Sequence, residues 1–219
     1  MLKIPVPERQ FTPEEYEIVQ DRVEVKLEMI RGQIVPKEGK GPLPVEIVEK
    51  ILSSNFNLRN FHYEFPMATS LHSRIIQNLN YALIGVLDRD QFEVYSQDPQ
   101  IYISLTGNYR IPDITVAPNY EKHIYRDNKL VNPIIVMEVL SPSNSGDGFL
   151  TKIQEYKTIE SLREYWFVAQ DVPLLERFVR HEQGWLTATF DEHDEEANFP
   201  TLDISIPLKA IYKGIFEEG

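Results

Sequence analysis

Apolar residues recur at helical spacing in several parts of the chain. The clearest pattern runs from Ile75 to Leu87 and predicts a long amphipathic helix that begins near His72. A capping-box sequence at Thr12 predicts a second helix near the N-terminus, because a Thr, a following Pro and a Glu three residues on are typical of helix starts. Two further helices are predicted over Val45–Leu52 and Phe149–Ile159.

Other segments alternate between apolar and polar residues, or are apolar throughout over a short length, as strands do. A hairpin is predicted from Val25 to Val35, turning at Arg31-Gly32. The other predicted strands are Phe92–Leu105 with a break near Asp98-Pro99, Ile114–Ala117, Ile134–Leu140, Tyr165–Ala169, Leu175–Val179 and Trp185–Phe190, before the closing segment "ISIPLKAIY". This order predicts one α/β domain over residues 1–219, with a mixed central sheet flanked by helices and a strand-rich C-terminal part.

Composition narrows the class of protein. Of the 219 residues, 42% are hydrophobic and 26% are charged, which is typical of soluble globular proteins. No segment approaches the roughly 18 consecutive apolar residues of a membrane span, and the start "MLKIPVPERQ" has no signal-peptide pattern. We therefore expect a cytoplasmic protein with no membrane partner. The chain has no Cys and five scattered His residues, so a metal would be a hard cation on oxygen ligands.

The predicted strand "IIVMEVL" contains a single acid, Glu138. Burying an ionised carboxylate is unfavourable unless a charged or hydrogen-bonding group meets it. Asp113 begins another predicted strand, directly after Pro112, which suits the first residue of a strand. If these strands are neighbours, the two carboxylates converge at one end of the sheet. A divalent cation such as Mg²⁺ would then relieve their repulsion.

Lys152 lies on the next predicted helix, at the edge of an apolar stripe that includes Tyr156. Its stem can pack on this stripe while the ammonium reaches the end of the sheet. Beside two acids and a metal, the ammonium could hold an attacking water and offset charge on a phosphate. Asp113, Glu138 and Lys152 therefore form a candidate site for phosphodiester hydrolysis. Taken singly, each residue also has a structural explanation, as a hydrogen-bond acceptor, an ion-pair partner or a surface charge.

Several segments together resemble a known family. "RIPDITV", "PIIVMEVLSPS" and "KIQEYKTIESLREYWFV" look like the Uma-type restriction endonucleases, of the PD-(D/E)XK nuclease superfamily, and the likeness extends to "FTPEEY", "LEMIRGQIV", "MATSLHSRIIQNLNYAL" and "ISIPLKAIY". The resemblance implies a restriction-endonuclease-like fold. It also implies that Asp113 and Glu138 are ligands of Mg²⁺ or Mn²⁺, and it adds Glu28 and His72 as catalytic residues.

The chain departs from the superfamily pattern at one position. The superfamily Lys stands two residues beyond the Glu, where this chain has Leu140. The Uma-type proteins resemble this chain in placing a Lys on the following helix, and Lys152 occupies that position, with Tyr156 beside it as a substrate-binding residue. Residues 36–65 are longer than the usual connection of the family, which indicates an insertion or a lid.

The formal net charge of −12 opposes binding to nucleic acid, so contact would need a local basic patch. Candidates are Arg110, Arg74 and Lys157, together with Lys152, whereas the acidic run Asp191–Glu196 is expected to be an exposed loop. The sequence thus predicts a metal-dependent endonuclease acting on nucleic acid, with DNA expected, and a homodimer would suit cleavage of both strands. The alternative is a binding or interaction module of the same fold without turnover. A glycosidase that uses paired carboxylates fits the pattern poorly, because that mechanism gives Lys152 no role.

Overall fold

The computed structural model describes residues 9–39, 41–119, 125–126, 129–140 and 147–216. The helices in these ranges are α1 Pro13–Arg22, α2 Val45–Leu52, α3 Ser70–Val86, α4 Asp147–Lys157 and α5 Leu208–Ile211, with a 3-10 turn at Leu58–Asn60. The capping box predicted at Thr12 is confirmed, because its hydroxyl accepts a hydrogen bond from the Glu15 N–H and the Glu15 carboxylate accepts one from the Thr12 N–H.

The strands are more numerous than the sequence predicts. In chain order they are β1 Leu27–Ile30, β2 Gln33–Pro36, β3 Phe92–Ser96, β4 Ile101–Ile103, β5 Asn108–Arg110, β6 Ile114–Pro118, β7 Tyr125–Arg126, β8 Lys129–Leu130, β9 Ile135–Leu140, β10 Glu164–Ala169, β11 Leu175–His181, β12 Gly184–Phe190, β13 Glu196–Phe199 and β14 Ile204–Pro207. The sequence did not predict β5, β7, β8 and β13, and it left α5 inside the closing segment.

The strands form two sheets and a ribbon, where the sequence predicted one sheet. In the described part of the chain, the first sheet has the order β2-β1-β5-β4-β8-β7 and the second has the order β12-β11-β10-β9-β6-β3, while β13 and β14 form a separate ribbon. The strands of the first sheet have only two to four residues, so they carry little periodicity. The break predicted near Asp98-Pro99 is confirmed, and it is where the chain passes from the second sheet to the first.

Three hydrophobic clusters hold these layers together. The first packs α3 on one face of the second sheet, and the second packs α1 and α2 on one face of the first sheet. The third cluster lies where the two sheets meet α4: it joins Ile101 and Ile103 of β4 to Val136 and Phe167 of the second sheet and to Tyr156 of α4. The first sheet and α4 therefore share one face of the second sheet.

The register of the second sheet brings the two predicted acids together. β6 and β9 are antiparallel, and Ile114 pairs with Met137, so that Asp113 lies opposite Glu138. Ile114 and Met137 both belong to the α3 cluster. Because side chains alternate between the faces of a sheet, Asp113 and Glu138 both point to the other face, toward the first sheet and α4.

Some expectations about the whole chain are not tested by these elements. None of the helices in the described ranges has the length and apolar character needed to cross a bilayer. The cytoplasmic location and the single domain over residues 1–219 stay predictions. The segment predicted as an insertion or lid, residues 36–65, contains α2 and the 3-10 turn.

Candidate functional site

Asp113 is fully buried, with 1% of its surface exposed, and four donors surround its carboxylate. Oδ1 accepts a hydrogen bond from Lys37 Nζ at 2.6 Å and a longer one from Gln97 Nε2 at 3.4 Å. Oδ2 accepts one from the Val139 N–H at 2.7 Å and lies 3.2 Å from His72 Nε2. Burial by itself raises the pKa of Asp113, but Lys37 and His72 outweigh it and hold the pKa below its usual range. Asp113 is therefore ionised at neutral pH.

Glu138 is 4% exposed and faces a different lysine. Its Oε1 accepts a hydrogen bond of 3.0 Å from the Tyr156 hydroxyl and lies 2.9 Å from Lys152 Nζ. Burial raises the pKa of Glu138 above its usual value, although the ammonium groups of Lys152 and Lys37 oppose this shift. The two acids thus lie opposite one another with pKa values displaced in opposite directions.

A second layer of charges lies beside this pair, between the first sheet and α4. Arg110 Nη1 is 3.0 Å from Glu28 Oε2, and Arg110 Nη2 is 2.6 Å from Glu155 Oε2. Asn108 Nδ2 donates to Glu155 Oε1 at 2.6 Å. Lys152 Nζ lies 3.9 Å from Glu28 Oε1, which connects this network to Glu138.

The structure places Arg110 between two buried acids. Its side chain is only 6% exposed, and the guanidinium faces Glu28 on one side and Glu155 on the other. A guanidinium in this position neutralises the buried acids. The substrate contact of Arg110 stays a prediction.

The other predicted residues divide into two groups. Direct contacts join Asp113 to His72 and join Lys152 to Glu138 and Glu28, with Tyr156 bonded to Glu138, and the strand register brings the two groups side by side. Arg74 is exposed on α3 and donates to the Gly214 carbonyl at 2.7 Å, and Lys157 lies over the rings of Phe178 and Trp185. The residues predicted to form a basic patch therefore each contact a different partner. The substrate contact of Arg74 stays a prediction.

Sequence reasoning missed Lys37, Glu38, Gln97, Asn108 and Glu155. Glu155 could have been found, because it lies three residues after Lys152 and shares a face of α4 with it. Lys37 and Glu38 gave no such signal, since they follow β2 in a polar loop far from Asp113 in the chain. Ligand atoms of Glu38, His72 and Asp113 lie within 4.8 Å of one another.

Lysine and arginine side chains offset much of the negative charge of the network. Its buried carboxylates belong to Asp113, Glu138, Glu28 and Glu155, with Glu38 close to Asp113, and its permanent cations belong to Lys37, Lys152 and Arg110. Burial disfavours a charged His72, but the contact with Asp113 outweighs burial and raises the pKa of this imidazole. Five acids therefore face three permanent cations and His72.

Comparison with known proteins supports the same fold and family. A structure from Anabaena variabilis, described as "a putative nuclease belonging to DUF820", superposes with a TM-score of 0.63 over 89% of this chain and 94% of that chain, at 17% identity. The restriction-endonuclease-like fold predicted from the sequence is thereby confirmed. Two Synechocystis proteins, described as "Uncharacterized protein sll1609" and "Uncharacterized protein slr1290", are 25% and 27% identical over 198 and 149 residues. These matches cover 89% and 66% of this chain and 95% and 75% of the relatives.

The family match covers the sheet that carries the two acids. Residues 62–209 match the family model Uma2, described as "Putative restriction endonuclease". This range includes His72, Asp113, Glu138 and Lys152, while Glu28 and Lys37 lie before it. Since the match extends over more than half of the chain, the protein belongs to the Uma2 family of restriction-endonuclease-like proteins.

Proposed function

We propose that the protein is a metal-dependent endonuclease that hydrolyses phosphodiester bonds, with DNA as substrate and Mg²⁺ or Mn²⁺ as cofactor. The observation that carries the proposal is the contact of 2.9 Å between Lys152 Nζ and Glu138, beside the carboxylate of Asp113, which directly precedes the paired strand. Two acids and a lysine in this arrangement suit cleavage of a phosphodiester, and the family description supports the same reaction class. A homodimer would place two such sites on one duplex.

The donor set fits a hard divalent cation. Mg²⁺ in proteins is bound by one or two carboxylates, with waters and substrate phosphates completing the shell. Asp113 and Glu138 offer carboxylate oxygens from adjacent strands, and the chain contains no thiolate to select a softer metal. When bound, such an ion would polarise the phosphodiester and lower the pKa of a coordinated water.

Lys152 is the residue of this network best placed to meet a substrate. Its side chain is 19% exposed, compared with 5% for Glu138. The ammonium is anchored to Glu138 and lies near Glu28, so its position is fixed before substrate arrives. A fixed positive charge at this point can hold a water or a phosphate oxygen and stabilise negative charge that develops in the transition state.

Tyr156 and the Arg110 network position the reacting groups. The Tyr156 hydroxyl donates to the same oxygen of Glu138 that Lys152 contacts, which restricts the rotation of the carboxylate. Arg110 holds Glu28 and Glu155 in place behind Lys152. Restricting these groups reduces the reorganisation needed during the reaction.

The second candidate function is a binding module of the same fold without turnover. It is favoured by one observation: each of the four buried acids contacts a lysine or an arginine, so the network could persist as a structural ion-pair cluster. Buried ion pairs of this kind are common in proteins that have no catalytic site there.

Cleavage of DNA separates the two candidates. Purified protein with Mg²⁺ or Mn²⁺ should cut a mixture of supercoiled plasmid and large linear DNA, and EDTA or Asp113→Asn should abolish cutting because the cation then lacks a ligand. Glu192→Gln, an exposed acid outside the site, should cut as the wild type does. Binding of DNA without cutting under all of these conditions would favour the module, and equal cutting by Asp113→Asn would exclude this site.

Lys152 should be needed for cleavage and dispensable for folding. Lys152→Met keeps most of the apolar stem but removes the charge, so we expect cleavage to fall about 10²-fold or more, the scale of losing one electrostatic stabiliser. Lys157→Met, on the same helix, is the matched control and should retain activity. Initial cleavage rates at saturating metal measure the effect, and equal losses in both variants would indicate a general effect of charge.

Arg110 should be needed for stability. Arg110→Met leaves Glu28 and Glu155 buried without their main counter-ion, so the free energy of unfolding should fall by about 3–5 kcal/mol. Arg74→Met removes an exposed arginine with one hydrogen bond to the backbone and should cost about 1 kcal/mol or less. Urea unfolding followed by circular dichroism provides the comparison. Similar stability of the two variants would contradict the structural role of Arg110.

A further inference from the structure

Lys37 places a positive charge where the proposed cation would bind. It follows directly after β2 of the first sheet, yet its ammonium reaches the second sheet and lies 2.6 Å from Asp113 Oδ1, with only 5% of the side chain exposed. The Lys37 N–H donates to the Lys26 carbonyl, which joins the turn to the segment before β1, and the Gly39 N–H donates to the Pro36 carbonyl, which closes the turn. The turn at residues 36–39 therefore presents Lys37 to Asp113.

Four donors already meet the carboxylate of Asp113, so a metal ion that binds this carboxylate must replace one of them. On Oδ2, one donor is a backbone N–H of β9 and the other is His72 at the start of α3. On Oδ1, Lys37 is the charged donor, and Gln97 makes only the longer contact. The two oxygens of a carboxylate offer about four lone-pair sites, and four donors meet those of Asp113, so a metal ion at Oδ1 has to replace a donor.

Electrostatic repulsion also favours the replacement of Lys37 by the metal ion. Lys37 is attracted by both acids of the pair, Asp113 and Glu138. A divalent cation on Asp113 would lie close to this buried ammonium, and the repulsion between the two positive charges disfavours their binding together. Lys37 is the charged donor on Oδ1 and comes from a turn outside the second sheet, whereas the Val139 N–H on Oδ2 is held by the β-ladder.

We propose that Lys37 is an internal counter-ion that the divalent cation displaces. Without metal, its ammonium neutralises Asp113 and closes the site. With metal, the ammonium leaves Oδ1 and the turn at residues 36–39 shifts, which opens a path to the acids. This inference rests on the proposed metal-dependent function, and it gives the segment predicted as an insertion or lid a direct part in loading the site.

A competing explanation is that Lys37 stays in place and binds the substrate phosphate. The two roles differ in their effect on metal affinity. If Lys37 competes with the metal, its removal strengthens metal binding even in the absence of DNA. If it binds only substrate, its removal leaves metal affinity unchanged.

The test is titration calorimetry of Mn²⁺ into the full-length protein without DNA, combined with thermal unfolding. Lys37→Met should bind Mn²⁺ at least about tenfold more tightly than the wild type. Without metal it should melt at a lower temperature than the wild type, because Asp113 loses its counter-ion, and Mn²⁺ should raise its melting temperature by more than it raises that of the wild type. Lys26→Met is the matched control: Lys26 donates to the Gln97 carbonyl and makes no contact with Asp113, so its loss should leave Mn²⁺ affinity near that of the wild type.

The outcomes are distinct. Mn²⁺ binding to Lys37→Met at or below wild-type affinity overturns the inference while leaving the proposed function standing, and so does an equal gain in Lys26→Met. Absence of Mn²⁺ binding in both the wild type and Lys37→Met overturns the proposed metal dependence itself. Should Lys37→Met fail to fold without metal, Lys37→Gln keeps a hydrogen-bond donor for Asp113 without the charge, and the same gain in affinity is expected of it.

Discussion

The structure depends on the burial of two carboxylates at facing positions of adjacent strands. Asp113 and Glu138 project into the space between two sheets and a helix, where water cannot solvate them. An uncompensated charge in such a place would destabilise the fold by several kcal/mol, so each acid must be met by a cation or by strong hydrogen-bond donors. The positions of Lys37, Lys152, His72 and the backbone N–H of Val139 follow from this requirement.

Each counter-ion comes from a different element, so the site joins three parts of the fold. Lys37 belongs to the hairpin of the first sheet, Lys152 to α4 and His72 to α3. The charges therefore hold together layers that hydrophobic contacts alone would bring near one another without fixing their alignment. In the proposed mechanism, cation binding would also be linked to the placement of the first sheet, because replacing Lys37 by a metal would change what holds the hairpin turn against Asp113.

The sequence alone identified the site residues that interrupt, begin or border a hydrophobic pattern. Glu138 stood out because it interrupts an apolar strand, Asp113 because it begins one after a proline, and Lys152 because it borders a helical stripe. Glu28 and His72 came from the family resemblance. Lys37 could not be found, since its contact with Asp113 spans two sheets and depends on how they pack. Arg110 was assigned to the surface for the same reason: nothing local shows that two acids, one of them on α4, surround it.

The elements of the fold also divide into those that have a local sequence pattern and those that do not. α2 was predicted with the bounds that the structure has, and the hairpin and α3 were predicted to within a few residues, because they carry full periods of the hydrophobic pattern. The first sheet was not predicted as a separate sheet, because its strands β5, β7 and β8 have two or three residues each, too few for alternation to be visible. Such strands are stabilised by long-range pairing, which a single sequence does not display.

The most direct test of this account is the position of a bound metal in a crystal. Crystals grown or soaked with Mn²⁺ and measured at its absorption edge should show an anomalous peak between the carboxylates of Asp113 and Glu138, with Lys37 Nζ displaced from Asp113 Oδ1. A peak absent from this position, or a peak there with Lys37 still in contact with Oδ1, would contradict it.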